Sequence, residues 1–490
     1  MRGAIVVGGG ISGVAAAHRL AELSRERGLG LQITLLEQAG RLGGLLETRA
    51  QDGFVMEGGA DAFLTESPWA LDLCRRAGLA EELVETNSAL RRSFILHRGR
   101  LAPVPEGFYL VAPARAGACW RAPALNWLGK ARMALEPLVP ARHDETDESA
   151  ADFIRRRFGR QALERIGKPM VGGIYTADLA RLSAHAALPR LHELERGYGS
   201  VTRGLRRARA GAGGAGGEGG AAKAAGPRYG LFMTLRGGLS RLIEALAARM
   251  PEAAVRTGAG AARVEQAVRS STGAERMEAG WTVTLESGET LEADAVLLAV
   301  PAHRAADLLR GVAPELAEQL SAIEYESAVT VNLAFREEEL RRPLAGFGFV
   351  LADAANPVVG CTFSSVKFPG RAPAGRVLLR CFLGGALHPG VEEWDDRSLV
   401  SAAMDPVRKG LGLAAPPVLT WVRRHRRAMP QYHVGHHERV LAIERLEREL
   451  PGLHLAGNGY RGLGIPDCVH QAEQAAERAV EEIMERKQSA

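Results

Sequence analysis

The first forty positions alternate between apolar runs and a glycine-rich stretch in a pattern that predicts a strand, a turn, a helix and a second strand. Residues 4–7 are apolar, four of the next six residues are glycine, and apolar residues resume over residues 14–20. A second apolar run covers residues 31–36 and ends at the acidic Glu37. This order is typical of a strand, helix and strand unit with a glycine-rich first turn.

Three glycines of the predicted turn, Gly8, Gly10 and Gly13, have the spacing G-x-G-x-x-G. Gly8 permits a tight turn, Gly10 lets backbone N–H groups approach a pyrophosphate, and Gly13 lets the helix lie close to the strand. The helix N-terminus then directs its partial positive charge at the phosphates. Glu37 follows Gly13 by 24 residues, near the offset of the acid that binds a ribose 2′-hydroxyl. The pattern predicts a dinucleotide site for a ribose without a 2′-phosphate.

A second glycine pair follows the ribose acid, in the order Arg41, Leu42, Gly43, Gly44. A nicotinamide dehydrogenase does not need this pair. It resembles the motif that flavoproteins of the amine-oxidase superfamily place against the FAD pyrophosphate. The resemblance implies that FAD is the cofactor.

Composition and charge narrow the class of protein. The 490 residues, 46% of them hydrophobic, suffice for two or three domains. The 62 basic and 57 acidic residues leave a net charge of +5, and no aromatic and basic motif indicates nucleic-acid binding. The five cysteines form no C-x-x-C pair, which predicts reduced thiols and no metal site. No run reaches the roughly 18 apolar residues of a spanning helix, so we expect a cytoplasmic protein, soluble or peripheral at a membrane.

Three further stretches carry predictions about local structure. Residues 107–142 mix aromatic and basic side chains, which fits a membrane–water interface and equally a helical domain with aromatics in its core. Residues 169–178 contain a glycine pair and are predicted to form a turn. Residues 208–226 are nearly all glycine and alanine, and we expect a flexible surface loop there.

A glycine-rich loop over residues 457–467 connects a buried apolar strand to a helix predicted to begin at Cys468. Such a helix can direct its dipole at the N1 and C2=O edge of a flavin ring, where negative charge collects on reduction. The alternative is an ordinary helix with Asp467 as its cap.

Taken together, these segments resemble the oxygen-dependent protoporphyrinogen and coproporphyrinogen III oxidases of haem biosynthesis. Three runs are specific to that family: Gly-Ile-Tyr-Thr-Ala-Asp at residues 173–178, Pro-Gln-Tyr-His-Val-Gly-His at 430–436 and Gly-Ile-Pro-Asp-Cys at 464–468. The glycine turns belong to the wider superfamily. The resemblance covers nearly the whole chain.

The resemblance implies an α/β fold with a discontinuous Rossmann-type FAD-binding domain, a mixed α+β substrate domain and a helical membrane-associating domain. We expect the FAD-binding domain over residues 1–85, 229–305 and 436–490, the substrate domain over 86–106 and 306–435, and the helical domain over 107–228. The implied reaction is the FAD- and O2-dependent oxidation of a porphyrinogen to its porphyrin with release of H2O2. Hydride leaves a methylene bridge toward the flavin, so no catalytic side chain is assigned.

The resemblance also assigns binding residues. Cofactor contacts are expected from Gly8, Gly10, Ile11, Ser12, Gly13, Glu37, Gln38, Arg41, Gly43, Gly44, Gly58, Gly59, Ala60, Asp61, Val264, Gly457, Gly464, Ile465 and Val469. The substrate slot is expected to be lined by Gly172, Gly173, Phe347, Val350, Thr362 and Phe382.

At Ser93 the chain departs from plant and animal protoporphyrinogen oxidases, which carry an arginine there that pairs with a propionate. In this chain Arg91 and Arg92 stand immediately upstream. Coproporphyrinogen carries four propionates and protoporphyrinogen two, so we expect these arginines to bind the additional charge. Coproporphyrinogen III is therefore favoured as the substrate, and protoporphyrinogen IX stays open.

The implied partners are the porphyrinogen, O2, the inner face of the cell membrane and a ferrochelatase-type neighbour, and a homodimer stays open. Two other functions fit the flavin motifs. One is another amine-oxidase-type oxidoreductase, such as an amine oxidase or a desaturase, whose flavin an amine would reduce. The other is a non-catalytic flavin-containing porphyrin-binding protein, whose flavin would not respond to porphyrinogen.

Overall fold

A computed structural model describes residues 3–104, 107–115, 117–142, 144, 146–212, 232–250, 254–270 and 277–488. The strands in these residues, numbered in chain order, are β1 Gly3–Val7, β2 Gln32–Glu37, β3 Thr48–Gln51, β4 Phe54–Glu57, β5 Phe63–Leu64, β6 Leu83–Glu85, β7 Phe94–His97, β8 Arg100–Pro103, β9 Phe108–Tyr109, β10 Ala112–Pro113, β11 Phe232–Leu235, β12 Val255–Thr257, β13 Ala261–Ser270, β14 Met277–Leu285, β15 Thr290–Ala293, β16 Ala295–Leu298, β17 Tyr325–Arg336, β18 Gly348–Leu351, β19 Val358–Phe363, β20 Arg376–Gly384, β21 Leu419–Pro430 and β22 Leu453–Leu455. The helices are α1 Ile11–Glu26, α2 Trp69–Arg76, α3 Trp127–Ala134, α4 Ala150–Phe158, α5 Arg160–Ala162, α6 Gly173–Tyr175, α7 Ala184–Ala187, α8 Pro189–Tyr198, α9 Val201–Ala212, α10 Ser240–Ala247, α11 Ala302–Leu309, α12 Pro314–Ser321, α13 Ser364–Lys367, α14 Asp396–Leu411, α15 His436–Arg448 and α16 Ile465–Gln488. A π helix, Leu163–Gly172, joins α5 to α6.

Five parallel strands form the sheet that carries the amino-terminal glycine turn, in the order β12, β2, β1, β16, β22. Alternate residues of β1 contribute to two apolar layers. Ala4 and Val6 pack with α1 and α16, and Ile5 and Val7 pack with α11 and the sheet of β13, β14 and β15. Because both faces are covered, the central strands β1 and β16 carry no polar side chain.

A seven-stranded sheet has the order β21, β17, β20, β19, β18, β7, β8, with β18 and β7 parallel. Its two faces differ in chemistry because side chains alternate along each strand. Val329, Val331 and Leu333 of β17 pack in an apolar layer with α14. Thr330 and Asn332 of the same strand face the other way and bind the backbone at the end of β4. This second face supports the candidate site.

The chain between residues 117 and 212 is mainly helical and has an apolar core of its own. The prediction of a turn at residues 169–178 is wrong, since the π helix and α6 continue the helical path to Tyr175. The glycines that suggested a turn mark close packing, because a Cβ on Gly172 would lie 3.3 Å from Leu179.

Residues 107–142 contain both buried and exposed aromatic side chains. Phe108, Tyr109 and Leu125 are buried in the core, as in an ordinary helical domain. Trp120 is 55% exposed and Trp127 is 71% exposed. The segment therefore supplies both a core and an apolar surface.

Three sequence predictions concern loops, spans and thiols. Helix α9 extends into the predicted glycine and alanine loop as far as Ala212, and residues 213–226 of that loop lie outside the described residues. Within the described parts of the chain, no helix has the length and apolar character needed to cross a bilayer. The five cysteines are buried free thiols, as predicted.

Candidate functional site

The glycine turn after β1 has the geometry that its spacing predicts. Gly8 has a φ of 107°, and a Cβ there would lie 2.5 Å from the carbonyl oxygen of Ala299. A Cβ on Gly13 would lie 1.7 Å from the carbonyl oxygen of Gly8, so α1 can approach β1 only with glycine at this position. A Cβ on Gly10 would meet no atom within 4 Å. Gly8 and Gly13 are thus required by the fold, whereas Gly10 keeps a space open for a ligand.

The Glu37 carboxylate lies beside this turn at the end of β2. One oxygen accepts the N–H of Gly9 at 2.6 Å and the other accepts the N–H of Ala39 at 2.7 Å. Each carboxylate oxygen can accept a further hydrogen bond, which leaves capacity for ribose hydroxyls. Glu37 also fixes the glycine turn, a role that the sequence analysis did not anticipate.

The second glycine pair packs directly on the first turn. The N–H of Gly43 donates to the carbonyl of Gly9 at 2.7 Å, and a Cβ on Gly44 would lie 3.2 Å from the Cα of Gly10. Arg41 donates to the carbonyl of Gly44 at 2.8 Å and pairs with a nearby carboxylate. Its guanidinium therefore stabilises its own loop, and the two turns together form one glycine-lined cradle.

A third backbone turn, residues 57–61, lies against the polar face of the seven-stranded sheet. The carbonyl of Gly58 accepts hydrogen bonds from Thr330 Oγ1 at 2.5 Å and His425 Nε2 at 2.7 Å. Asn332 Nδ2 donates to the carbonyl of Glu57 at 3.0 Å. Side chains of β17 and β21 thus hold the turn through its carbonyl groups.

The carboxylate of Asp61 completes this attachment. It lies 3.1 Å from Lys367 Nζ and 3.2 Å from Arg380 Nη2, and Arg380 also donates to the carbonyl of Gly59 at 2.7 Å. Burial alone would raise the pKa of Asp61, but Arg380 and Lys367 outweigh burial and lower it well below its usual range. Asp61 is therefore a fixed anion, paired with two cations. Ala60 beside it is exposed.

Sequence reasoning did not find the side chains that hold this turn. Thr330 and Asn332 are polar at alternate positions of the otherwise apolar residues 328–335, which is a signal of a buried polar contact. Arg380 likewise interrupts the apolar run of β20.

The remaining predicted cofactor residues lie around the cradle or in the core behind it. Ile11 begins α1, and the side chain of Gln38 donates to Glu286 at 3.1 Å. Val264 and Val469 are fully buried in apolar clusters. Behind the cradle, the hydroxyl of Ser12 hydrogen-bonds the thiol of Cys468, whose pKa burial raises to about 12.

A cavity of about 1160 Å³ lies between the sheet, the helical segment and the start of α16. Most of the predicted slot residues line it: Gly173, Phe347, Val350, Thr362 and Phe382. The predicted cofactor residues Gly464 and Ile465 lie on the same wall. Gly172 is buried within the π helix and does not line the cavity.

Arg91 and Arg92 are not brought to the cavity wall. Ser93 and Phe94, which follow them, do line it, while Arg91 is half-buried and Arg92 is exposed. Their assignment to substrate propionates stays a prediction.

The loop before α16 is held by two stacked rings, Tyr432 and His436, whose centroids are 4.0 Å apart. The Tyr432 hydroxyl donates to the carbonyl of Asn458 at 2.6 Å and accepts the N–H of Gly462 at 3.1 Å. His436 Nε2 lies 2.9 Å from the carbonyl of Tyr460, and burial lowers the pKa of His436 to about 4, so the imidazole is neutral. The loop is fixed as it enters the helix.

Helix α16 begins at Ile465, three residues before the predicted start at Cys468. Pro466 is tolerated because the first turn of a helix needs no backbone donor there. Asp467 Oδ2 accepts the N–H of Gly464 at 3.3 Å. Gly457, which opens the loop after β22, has a φ of 146°. The helix N-terminus thus lies at the cavity wall, and its direction toward a flavin ring stays a prediction.

The residues fit a flavin dinucleotide. Gly10 leaves open the space that a Cβ would fill, Glu37 retains acceptor capacity for ribose, and the cavity meets a helix N-terminus that favours negative charge. Fold and site define the class of this protein as an α/β dinucleotide-binding oxidoreductase. The chain belongs to the flavin-containing amine oxidoreductases, whose family model matches residues 11–480. Its cofactor is FAD.

Three comparisons place the chain within this family. It is 36% identical over 497 residues to a coproporphyrinogen III oxidase of Propionibacterium freudenreichii subsp. freudenreichii, covering 97% of this chain and 90% of the relative. It is 30% identical over 478 residues to the coproporphyrinogen III oxidase of Bacillus subtilis (strain 168), covering 97% of both chains. A crystal structure from Exiguobacterium sp. 255-15, assigned as a protoporphyrinogen oxidase, superposes with a TM-score of 0.82 at 28% identity over 99% of both chains.

Proposed function

We propose that this protein oxidises coproporphyrinogen III to coproporphyrin III in haem biosynthesis, using FAD and O2 and releasing H2O2. The observation that carries the proposal is the cavity of about 1160 Å³ at the N-terminus of α16. Ligand pockets usually have about 300–1,000 Å³, so this cavity has room for a second large ring system beside a flavin. The names and full-length similarity of the relatives support a porphyrinogen as that second ring system.

Bound FAD supplies the hydride acceptor and passes the electrons to O2. The protein's part is to bind and orient the macrocycle and to exclude water from it. Phe347 and Phe382 provide apolar faces, and Gly173 lets the macrocycle approach the end of the π helix. With FAD bound, the N-terminus of α16 would stabilise negative charge that develops on the reduced cofactor.

Atoms and electrons balance without a catalytic side chain. Over three rounds the substrate loses three hydrides from bridge carbons and three protons, and three O2 become three H2O2. Two of the protons leave pyrrole nitrogens, and the third leaves the fourth bridge carbon as the macrocycle tautomerises. Asp61 is paired with two cations and His436 is neutral with its Nε2 engaged. The two cations disfavour protonation of Asp61 and burial disfavours protonation of His436, so neither group is suited to take a substrate proton.

The choice of coproporphyrinogen III over protoporphyrinogen IX depends on charge. Ser93 on the cavity wall, with Arg91 and Arg92 upstream, supports the substrate with more propionates. The test is kcat/KM for the two porphyrinogens measured side by side with the same FAD-loaded preparation. We expect coproporphyrinogen III to be preferred. An equal or higher value for protoporphyrinogen IX would overturn the substrate assignment.

A second part of the proposal is peripheral contact with an anionic membrane through the apolar surface of residues 118–138. Five large apolar side chains of this surface are exposed: Trp120, Trp127, Leu128, Leu135 and Leu138. Arg121 is exposed and Lys130 half-buried among them. The carboxylate in this stretch, Glu136, is buried and paired with Arg157. Tryptophan and cations without exposed acids suit a membrane–water interface.

Co-sedimentation with vesicles of anionic and of neutral lipid tests this contact. The double variant Trp120→Ala, Trp127→Ala should lose most binding to anionic vesicles and keep its FAD. Trp394→Ala, at a tryptophan 41% exposed elsewhere, is the matched control and should bind like the parent. Equal sedimentation of all three proteins would contradict the contact.

The division of the chain into an FAD-binding, a substrate and a helical domain is also part of the proposal. Separate apolar cores behind the parallel sheet, behind the seven-stranded sheet and within the helical segment support it. Contact with a ferrochelatase-type neighbour and formation of a homodimer stay predictions.

A further inference from the structure

Three histidines from different helices lie close together beside the cavity, one pair stacked and the other tilted. His185 of α7 lies 5.0 Å from His192 of α8 and 4.9 Å from His437 of α15, measured between ring centroids. His185 and His437 line the cavity, while His192 lies behind them. We call these three residues the histidine triplet. The specific sequence runs quoted above contain none of its members.

Each positively charged lysine or arginine on the described cavity wall already lies near a carboxylate. Lys367 is bound to Asp61, and both nitrogens of the Arg461 fork are bound to Glu444. Arg190 lies 3.3 Å from Glu66. The other charged residues on this wall are the acids Glu193 and Asp467. A substrate with several carboxylates therefore meets no cation on this wall without a carboxylate near it.

The imidazoles are the wall groups that can gain positive charge when such a substrate enters. His436 is excluded because burial lowers its pKa and keeps the ring neutral. Within the triplet, burial and the neighbouring His185 lower the pKa of His192. Because His192 does not line the cavity, His185 and His437 are the two rings of the triplet that a substrate carboxylate can reach.

The groups around the triplet do not remove this capacity. Asp147 accepts backbone N–H groups of His185 at 3.4 Å and Gly435 at 3.1 Å, so it braces the backbone. Three charged side chains lie near His192. Glu195 and Glu148 raise its pKa, and Arg196 lowers it.

We propose that His185 and His437, supported by His192, form a subsite that binds one carboxylate of the substrate and takes up a proton as it does so. This inference rests on the proposed porphyrinogen substrate. A carboxylate, a neutral imidazole and a proton from solvent combine into a charge-assisted ion pair, which is stronger than a hydrogen bond between neutral groups. Binding should consequently weaken as the pH rises through the imidazole range.

The test uses oxidised, FAD-loaded protein and coproporphyrin III as the probe. Titration calorimetry in buffers of different ionisation enthalpy measures the protons taken up per porphyrin bound. For the parent we expect uptake of about one proton near pH 7 and a Kd that rises roughly tenfold from pH 6 to pH 8. These measurements need no variant. Binding by the parent without proton uptake overturns the subsite.

Variants locate the proton. His185→Gln and His437→Gln should each raise the Kd by roughly five- to twentyfold near pH 6 and flatten its pH dependence, with FAD content unchanged. His97→Gln, at an exposed histidine of β7, is the matched control and should behave like the parent. Parent-like Kd and pH dependence in both triplet variants would overturn the inference and leave the proposed function intact. No coproporphyrin binding by the parent would overturn both.

Discussion

Two backbone turns contain predicted cofactor-binding residues, and their conformations are stabilised in different ways. The turn at residues 8–13 is fixed sterically, because a Cβ on Gly8 or Gly13 would collide with backbone oxygens. The turn at residues 57–61 is fixed by side chains of the seven-stranded sheet, which bind its carbonyls and the Asp61 carboxylate.

The difference determines what a substitution should do in each turn. In the first turn the fold itself tolerates a side chain only at Gly10, where the open space is expected to hold the cofactor. A substitution of Gly10 should therefore remove FAD and leave the apolar cores intact. The second turn links the cofactor side of the molecule to the sheet that lines the cavity. A substitution there should cost stability, because it leaves buried charges without partners.

The largest effect is expected from Gly10→Val. The new side chain would fill the space next to the glycine cradle, where no atom lies within 4 Å of the Cβ position. FAD binding should be abolished while circular dichroism and the unfolding transition of the apoprotein stay near those of the parent apoprotein. FAD content and reconstitution of the apoprotein measure this.

Gly311→Val is the matched control, since its Cβ position is also open and lies outside the site. It should bind FAD like the parent. A yellow, FAD-replete Gly10→Val protein would show that the space beside Gly10 is not needed for FAD.

Asp61→Asn should give the next largest effect. It leaves Lys367 and Arg380 without their carboxylate, and breaking a buried ion pair costs about 3–5 kcal/mol of unfolding free energy. Denaturant unfolding measures this loss. Asp307→Asn removes the carboxylate of an exposed pair and should cost less than about 1 kcal/mol. Similar losses in the two variants would show that the second turn is not held electrostatically.

The same pair predicts a pH dependence. The pKa of Asp61 in the folded protein lies below its unfolded value of about 3.9, so its contribution is fully present above about pH 4. The contribution is lost as the pH falls toward the folded-state pKa. The stability difference between parent and Asp61→Asn should stay constant from about pH 7 to pH 5 and shrink below about pH 4.

Glu37→Ala should have an intermediate effect on FAD. The carboxylate is available to ribose hydroxyls and also fixes the N–H of Gly9, so its loss should weaken FAD binding by about 1.5–3 kcal/mol. Glu37→Gln keeps one acceptor oxygen and should weaken binding less. Affinity of the variant apoproteins for FAD decides this, and parent-like affinity in Glu37→Ala would assign the ribose to another residue.

The smallest effect is expected from Arg92→Ala. Arg92 is exposed and lies off the cavity wall, so its pairing with a propionate should change KM for coproporphyrinogen III by no more than roughly fivefold. The change in KM for protoporphyrinogen IX should be smaller. Unchanged KM values for both substrates would show that Arg92 does not bind a propionate.

The sequence predicted the first turn well because all its determinants are local. The spacing of Gly8, Gly10 and Gly13 and the position of Glu37 describe a single strand, helix and strand unit, and each requirement concerns close neighbours. The apolar sequence of residues 295–298 has a similarly simple cause, because a strand covered on both faces must be apolar.

The second turn and the cavity could not be predicted in the same way. Thr330, Arg380 and His425 reach residues 57–61 only because β17, β20 and β21 align in one sheet. The turn predicted at residues 172 and 173 was wrong. Glycine is selected both by turns and by close packing of helices, and here it serves close packing. The start of α16 was placed too late because Pro466 and Gly464 read as loop residues.

Anaerobic mixing of the FAD-loaded protein with coproporphyrinogen III tests the central claim most directly. The account predicts that the absorbance of oxidised flavin is lost, that coproporphyrin III fluorescence appears, and that admitting O2 restores the flavin with formation of H2O2. An oxidised flavin that persists with coproporphyrinogen III, but is bleached by a simple amine, would contradict the account and indicate an amine oxidase.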